Sequence, residues 1–439
     1  MRLRKAGVLA VAAVTSLAMG ACSAGSLGSS DKSSGGKVTL TFLVGNEENT
    51  TKPAEQLIKD FQAKNANIEI KLETRPGGSE GDNLVKTRLS TGDMSDVFQY
   101  NSGSLFQAIA PEKNLVPLDD QSWVSQLDDN FKKTVTANGK VYGAPFGSFM
   151  AGAMMYNRSI YSKLNLKVPQ TWADLMANSA KIKAAGIDPI IQTYQDTWTS
   201  QLFVLGDFHN VLINEPDFPD KYTKGQAKYA TDQYAIKGFE RQQQAHDANL
   251  FNKDFASSKL EDGIKKLANG QGAMYPILSF AAATLAANYP DKINDIGMFG
   301  LPGDDASKFG MTVWAPAGTY IPKTVTGDKL DAAKKFVAFV ASSEGCDSQT
   351  KGSQPTGPYA VKSCKLPSNV PQVAKDIQSY IDKPGASSLA LEFLSPIKGP
   401  ALEQITVEVG SGIRKAKAGA ALYDEDVKKQ AQQLGLPGW

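Results

Sequence analysis

Across 439 residues there are only two histidines and three cysteines, and their spacing narrows the available chemistry. His209 and His246 stand apart from any HExxH or CxxC arrangement, so neither a protein-built zinc site nor another cofactor is expected. No GxSxG motif and no Cys/His pair marks a nucleophile. Carboxylates, amides and aromatic rings remain, and together they suit a polyhydroxylated ligand. Hydroxyls take paired polar partners, while apolar C–H faces take flat aromatic surface closed away from water. The densest such grouping is Tyr194-Gln195-Asp196-Thr197-Trp198. There Trp198 is a candidate to stack and Asp196 to accept hydroxyl hydrogen bonds; a core Trp beside a capping Asp is the alternative.

Cys22 calls for a different chemistry. Arg2, Arg4 and Lys5 precede a mostly apolar run from Ala6 to Met19, which ends in Met19-Gly20-Ala21-Cys22. A basic start, an apolar stretch and small residues before a cut describe a secretory signal peptide over residues 1–21. Thr15 and Ser16 interrupt the run, which falls short of the ~20 apolar residues of a spanning helix. Small residues before a Cys resemble the bacterial lipobox, with Met19 where Leu is more usual. Cys22 is therefore expected to carry lipid and to anchor the chain, without spanning, at the outer face of the cytoplasmic membrane. Residues 22–37 are Ser/Gly-rich and read as a flexible linker. Cys346 and Cys364 are left as an even pair in an oxidising compartment and are expected to form a disulfide, two buried thiols being the alternative.

Removing residues 1–21 takes away three basic residues and no acidic one, moving the formal charge from +2 to −1. No concentrated basic surface is indicated, which argues against nucleic acid as partner. Some 400 folded residues exceed the size at which one core stops growing, so two lobes are expected.

Positioning elements follow from periodicity. Val38 to Val44 reads as a buried strand that ends at the polar turn Gly45-Asn46-Glu47-Glu48. Pro53 is expected to open a helix with Leu57, Ile58 and Phe61 on one face. Ile68 to Leu72 reads as a second strand, Asp82 to Leu89 as a helix closing near Gly92, and Val97 to Tyr100 as a third strand. Thr171 to Asp174 forms a capping box that starts a helix closed by Gly186. Leu330 to Val340 is a further helix, and the tail from Pro400 is helix-prone but broken at Gly410, Gly412 and Gly419. Strands alternating with helices imply an α/β fold with a largely parallel sheet, in which ligands sit beyond the carboxyl ends of strands. Those ends supply Asn46, Glu47 and Glu48, then Tyr100 and Asn101.

Several segments together resemble the extracellular sugar-binding proteins of ABC importers, the family that includes maltose-binding protein. Asn138-Gly139-Lys140-Val141-Tyr142-Gly143-Ala144-Pro145 is similar to that family's "dGKvYgvP" hairpin, and Tyr156-Asn157-Arg158 to its "YNk" step. Val168 to Leu175 (VPQTWADL) matches "vPkTWdEl", Leu267 to Tyr275 (LANGQGAMY) matches "f..GkaAM", and Ala332 to Glu344 matches the "AakkFv.fl.s.e" helix. The likeness extends over roughly residues 38–439. It implies a two-lobed periplasmic-binding-protein-like fold with crossovers near residues 148, 312 and 345. One lobe would comprise 38–148 and 313–345, the other 149–312 and 346–439, closing about a hinge on the ligand. It also implies that Trp172 packs at a helix start, and it supports Asp196 and Trp198 as second-lobe contacts. Phe280 stands where the family often carries a stacking Trp. Trp314 falls at a crossover, and Glu392 in the closing segment. The expected partners are an oligosaccharide and the permease subunits of an importer, with the chain a monomer. Two rivals stay open: a secreted glycoside hydrolase, which would also need paired carboxylates, and a same-fold binder of another solute such as a polyamine, favoured by Glu47 and Glu48.

Overall fold

Apolar side chains on both faces make Val38–Gly45 a central strand, with Leu40, Phe42 and Val44 fully buried. The computed structural model describes residues 37–397 and 399–439; the leader, Cys22 and the linker through residue 36 lie outside the described residues. In the first sheet the strand order is Ile68–Arg75, Val38–Gly45, Val97–Tyr100, Ala317–Tyr320, Ala144–Phe146. The first three run parallel, so their carboxyl ends share one edge. Ala317–Tyr320 is antiparallel to its neighbours on either side, which places its start and the end of Ala144–Phe146 at that same edge.

Helix Glu48–Lys64 covers this sheet through Leu57, Ile58 and Phe61. It starts five residues before Pro53, not at it. Glu48 opens the first turn, and Pro53 sits one turn further in, where its missing N–H removes only the helical donor to the Asn49 carbonyl. Helix Gly327–Val340 packs beside it, and Phe336 meets Phe42 and Phe61 edge-to-face at 5.2 Å in both cases. Each fully buried ring of this kind contributes about 2–3 kcal/mol.

The second sheet runs Ser387–Leu389, Met311–Trp314, Met150–Asn157, Gly272–Leu278, Asp188–Ile190, with Ile296–Phe299 also paired to Met150–Asn157. Against it lies helix Trp172–Ala184, opened by the Thr171/Asp174 capping box; Gly186 follows at φ +78°. Trp172 is buried there and donates its indole N–H to Gln244 Oε1 at 2.7 Å, a packing role. Helices Leu402–Gly410 and Ala416–Gln433 complete this lobe. The tail breaks between them but not at Gly419. A Cβ at Gly419 would press on Val409, so that glycine permits close helix approach within a continuous helix.

Strands 144–146 and 150–157 belong to different sheets, so the chain passes between lobes at 147–149. A second passage, at Ala315-Pro316, follows Trp314, slightly later than the expected residue 312. The third differs more from the expectation near 345. Helix Ser343–Gly352 packs on helix Glu48–Lys64, and a disulfide from Cys346 to Cys364 turns the chain back onto the first lobe. There Asp128 N donates to Ala360 O at 2.9 Å and Lys362 N to Gln126 O at 2.7 Å. The next helix, Gln372–Asp382, lies against the second sheet, so the third passage spans 365–371. Among the described residues no helix is long and apolar enough to cross a membrane.

Candidate ligand-binding cleft

Strand ends from both sheets converge on one cavity of about 610 Å³, within the usual range for small-molecule sites. Gly45, Arg75, Gln99, Asn101 and Phe146 line it from the first sheet; Met150, Trp314, Phe280 and Glu392 face it from the second.

Arg75 and Gln99 form part of its floor. Gly45 and Arg75 are register partners at the ends of adjacent parallel strands. The Arg75 guanidinium reaches across the central strand and lies 5.5 Å from the Tyr100 ring centroid. Arg75 is 6% exposed, and the one hydrogen bond of its side chain among the described residues runs from Nη1 to the Pro76 carbonyl at 3.1 Å. The Arg75 Nε and Gln99 Oε1 atoms are buried and have no hydrogen-bond partner among the described residues. Burial and the neighbouring Asp82 carboxylate raise the Tyr100 pKa, so its hydroxyl stays neutral. Glu47 sits above, its carboxylate flanked by Gly45 and Gly77; a Cβ at either glycine would collide with it.

The opposite wall is aromatic. Trp314 lies against Gly152, where a Cβ would run into the indole. Phe280 opens helix Ala281–Asn288 and is backed by Trp198, with ring centroids 5.7 Å apart and planes inclined at 35°. A guanidinium and an amide on the floor, carboxylates at the rim and flat rings opposite can together hold a ligand bearing both hydroxyls and apolar faces. Among the described residues no group of three His, Cys, Asp or Glu side chains could hold a metal ion.

A family model described as the bacterial extracellular solute-binding proteins matches residues 45–345. The chain belongs to this family. Among relatives of this solute-binding protein, the multiple sugar-binding protein of Streptococcus mutans is 23% identical over 390 residues, 87% of this chain and 88% of that one. The melibiose/raffinose/stachyose-binding protein MelE of Bacillus subtilis is 22% identical, covering 81% and 83%. Among solved structures, RafE in complex with raffinose superposes with a TM-score of 0.73 at 20% identity, covering 91% of this chain and 100% of that one. A chitin oligosaccharide binding protein reaches 0.75 at 20% identity, covering 90% and 99%. These likenesses carry the two-lobed fold.

Within that fold, Glu47, Asn101, Phe280, Trp314 and Glu392 line the cleft of the solute-binding protein. Others of the sequence-derived candidates lie elsewhere. Asn46 donates its backbone N–H to the Arg75 carbonyl at 2.9 Å, and Glu48 turns outward to pair with Lys52 at 2.8 Å. Tyr100 is fully buried beneath Arg75, a support for the floor. Asp196 Oδ2 accepts from Leu260 N at 2.7 Å at the start of helix Leu260–Ala268, the capping alternative. Trp198 is half-buried behind Phe280 and does not itself line the cavity.

Arg75, Asp82 and Gln99 escaped the sequence reading, as did the wall formed by Gln349, Gln354 and Tyr359. The second strand runs three residues beyond the expected Leu72, and that extension delivers Arg75 to the edge. Pro76-Gly77-Gly78 was the available signal, a turn that sets the strand's end just before it. The strand ends therefore include a cation, where only acidic and neutral groups were expected.

Proposed function

We propose that this solute-binding protein captures an oligosaccharide between its lobes and delivers it to the permease of an ABC importer. The supporting observation is the cleft itself, which Arg75 and Gln99 line together with the aromatic side chains of Phe280 and Trp314. A guanidinium donates and a side-chain amide both donates and accepts, and neighbouring sugar hydroxyls offer the complementary roles at once. The relatives named for sugars support the same class. The polyamine reading loses ground because a buried guanidinium repels a cation at the floor. Hydrolysis is not part of the proposal: what the cleft offers is recognition, and the relatives are binding proteins. Cys22 is the proposed lipid attachment that keeps the protein at the membrane surface beside its permease.

A thermal-shift panel of raffinose, chitooligosaccharides, polyamines and phosphorylated sugars, followed by calorimetry on the hits, tests the reading. A rise in melting temperature with neutral oligosaccharides, without new products on chromatography, is the expected outcome. A response confined to polyamines or phosphorylated solutes would replace it, and accumulating shorter sugars would restore the hydrolase.

A further inference from the structure

Cys346 and Cys364 enclose a segment with two faces. On one, Gln349, Ser353, Gln354, Thr356 and Tyr359 line the cleft. On the other, the same segment holds the first passage between the lobes. Gln349 Oε1 accepts from Gly147 N at 2.7 Å, Phe149 N donates to Pro358 O at 2.8 Å, and Ser148 forms an antiparallel bridge with Tyr359. Gly147 has φ +91°, and a Cβ at Gly357 would collide with the Phe149 carbonyl, so the two backbones meet in contact.

Among the described residues, few backbone hydrogen bonds hold 353–358 besides Ser353 N to Gln349 O at 2.9 Å and the Phe149 contact, while Pro355, Gly357 and Pro358 are buried. Ser353-Gln354-Pro355-Thr356-Gly357-Pro358 is turn-forming and sits between helix Ser343–Gly352 and the short pairing of 360–362 with 126–128. Both ends of this segment converge on the cross-link. Tyr359 donates its hydroxyl to the Cys346 carbonyl at 3.2 Å, and the Cys364 sulfur lies 3.6 Å from the Ser342 carbonyl.

We propose that the Cys346–Cys364 disulfide is a positioning element for the binding site: it holds one strap that serves as both cleft wall and brace of the 147–149 hinge, and ligand affinity depends on it. The affinity part rests on the ligand-cleft reading above; the hinge part does not. A loop already ordered by its cross-link has less freedom left to lose when ligand arrives. Without the bond that freedom returns, and it returns where the lobes meet.

The experiment compares the wild-type protein with Cys346→Ala/Cys364→Ala. As a route that avoids refolding, the folded wild type is also reduced with a phosphine and alkylated. Hydrogen exchange reads the amides of Gly147 and Phe149 without ligand. These should exchange about tenfold faster or more without the bond, while amides of strand Val38–Gly45 stay unchanged. Calorimetry with raffinose and diacetylchitobiose reads the second half, with an expected loss of about tenfold or more in affinity. Equal exchange at Gly147 and Phe149, or a uniform acceleration across the molecule, would overturn the proposal and leave the bond a general stabiliser. Unchanged affinity for a sugar that binds the wild type would also overturn it. If neither sugar binds the wild type, the oligosaccharide reading weakens, and the exchange result alone decides the hinge.

Discussion

At the scale of single residues, Arg75 shows a conflict between stability and binding. A guanidinium buried over Tyr100 with a single hydrogen bond is expensive for the empty protein. Arg75→Met keeps much of the volume and removes the charge. Its melting temperature is expected to equal or exceed the wild type's, while affinity falls roughly 10- to 150-fold for a lost charged hydrogen bond. Parallel melting curves and calorimetry check this, and a destabilised variant with intact affinity would remove Arg75 from the site. Asp196 should behave in the opposite way. Because its carboxylate caps helix Leu260–Ala268, Asp196→Ala is expected to cost about 1 kcal/mol of stability with affinity within twofold of wild type. Glu47 and Asn101 were legible because they follow strands whose ends the sequence marks. Asp196 and Trp198 were legible only as a composition, an acid beside an aromatic. Composition does not say which way a side chain turns: Asp196 turned to a backbone N–H, and Trp198 to the back of Phe280.

Elements are held to one another by contacts that the sequence cannot pair. Asp60, on helix Glu48–Lys64, accepts from Ser348 at 2.8 Å and Lys351 at 3.0 Å on helix Ser343–Gly352, and from Gln56 at 2.8 Å on its own helix. Burial alone would raise its pKa, but these three donors outweigh burial and lower it to about 2. A depressed carboxylate stabilises the fold above its unfolded pKa, and that contribution is lost as pH falls towards the folded value. The wild type should therefore lose on the order of 1–2 kcal/mol between about pH 4 and pH 2 that Asp60→Asn does not lose. Denaturant titrations at both pH values give the difference, and parallel losses in both proteins would rule it out. The strands and the face of helix Gly327–Val340 could be read from local patterns, because burial there repeats with the period of the element. The start of helix Glu48–Lys64 and the third passage could not. One depends on Pro53 being tolerated inside a helix; the other depends on a disulfide whose course back to the first lobe only tertiary structure reveals.

Taken whole, the described residues build two large sheets that present strand ends at one cleft. The two-lobed architecture was readable from the order and spacing of the family-like segments, since they are mostly turns and helix starts that constrain topology. The anchoring proposed at Cys22 is tested at this scale. Cys22→Ser is expected to move the protein from the membrane pellet to the aqueous fraction on cell fractionation, and continued firm membrane association would show a second attachment.

The closed disulfide has a practical consequence. Cys346 and Cys364 are consumed by each other, so in a Cys22→Ser background any thiol added to the surface is unique. Ala283 lines the cavity on helix Ala281–Asn288, across from Asn49 on helix Glu48–Lys64. A polarity-sensitive fluorophore on Ala283→Cys would sit where closure changes its solvation. The same fold that carries solute to a transporter would then report solute concentration as light.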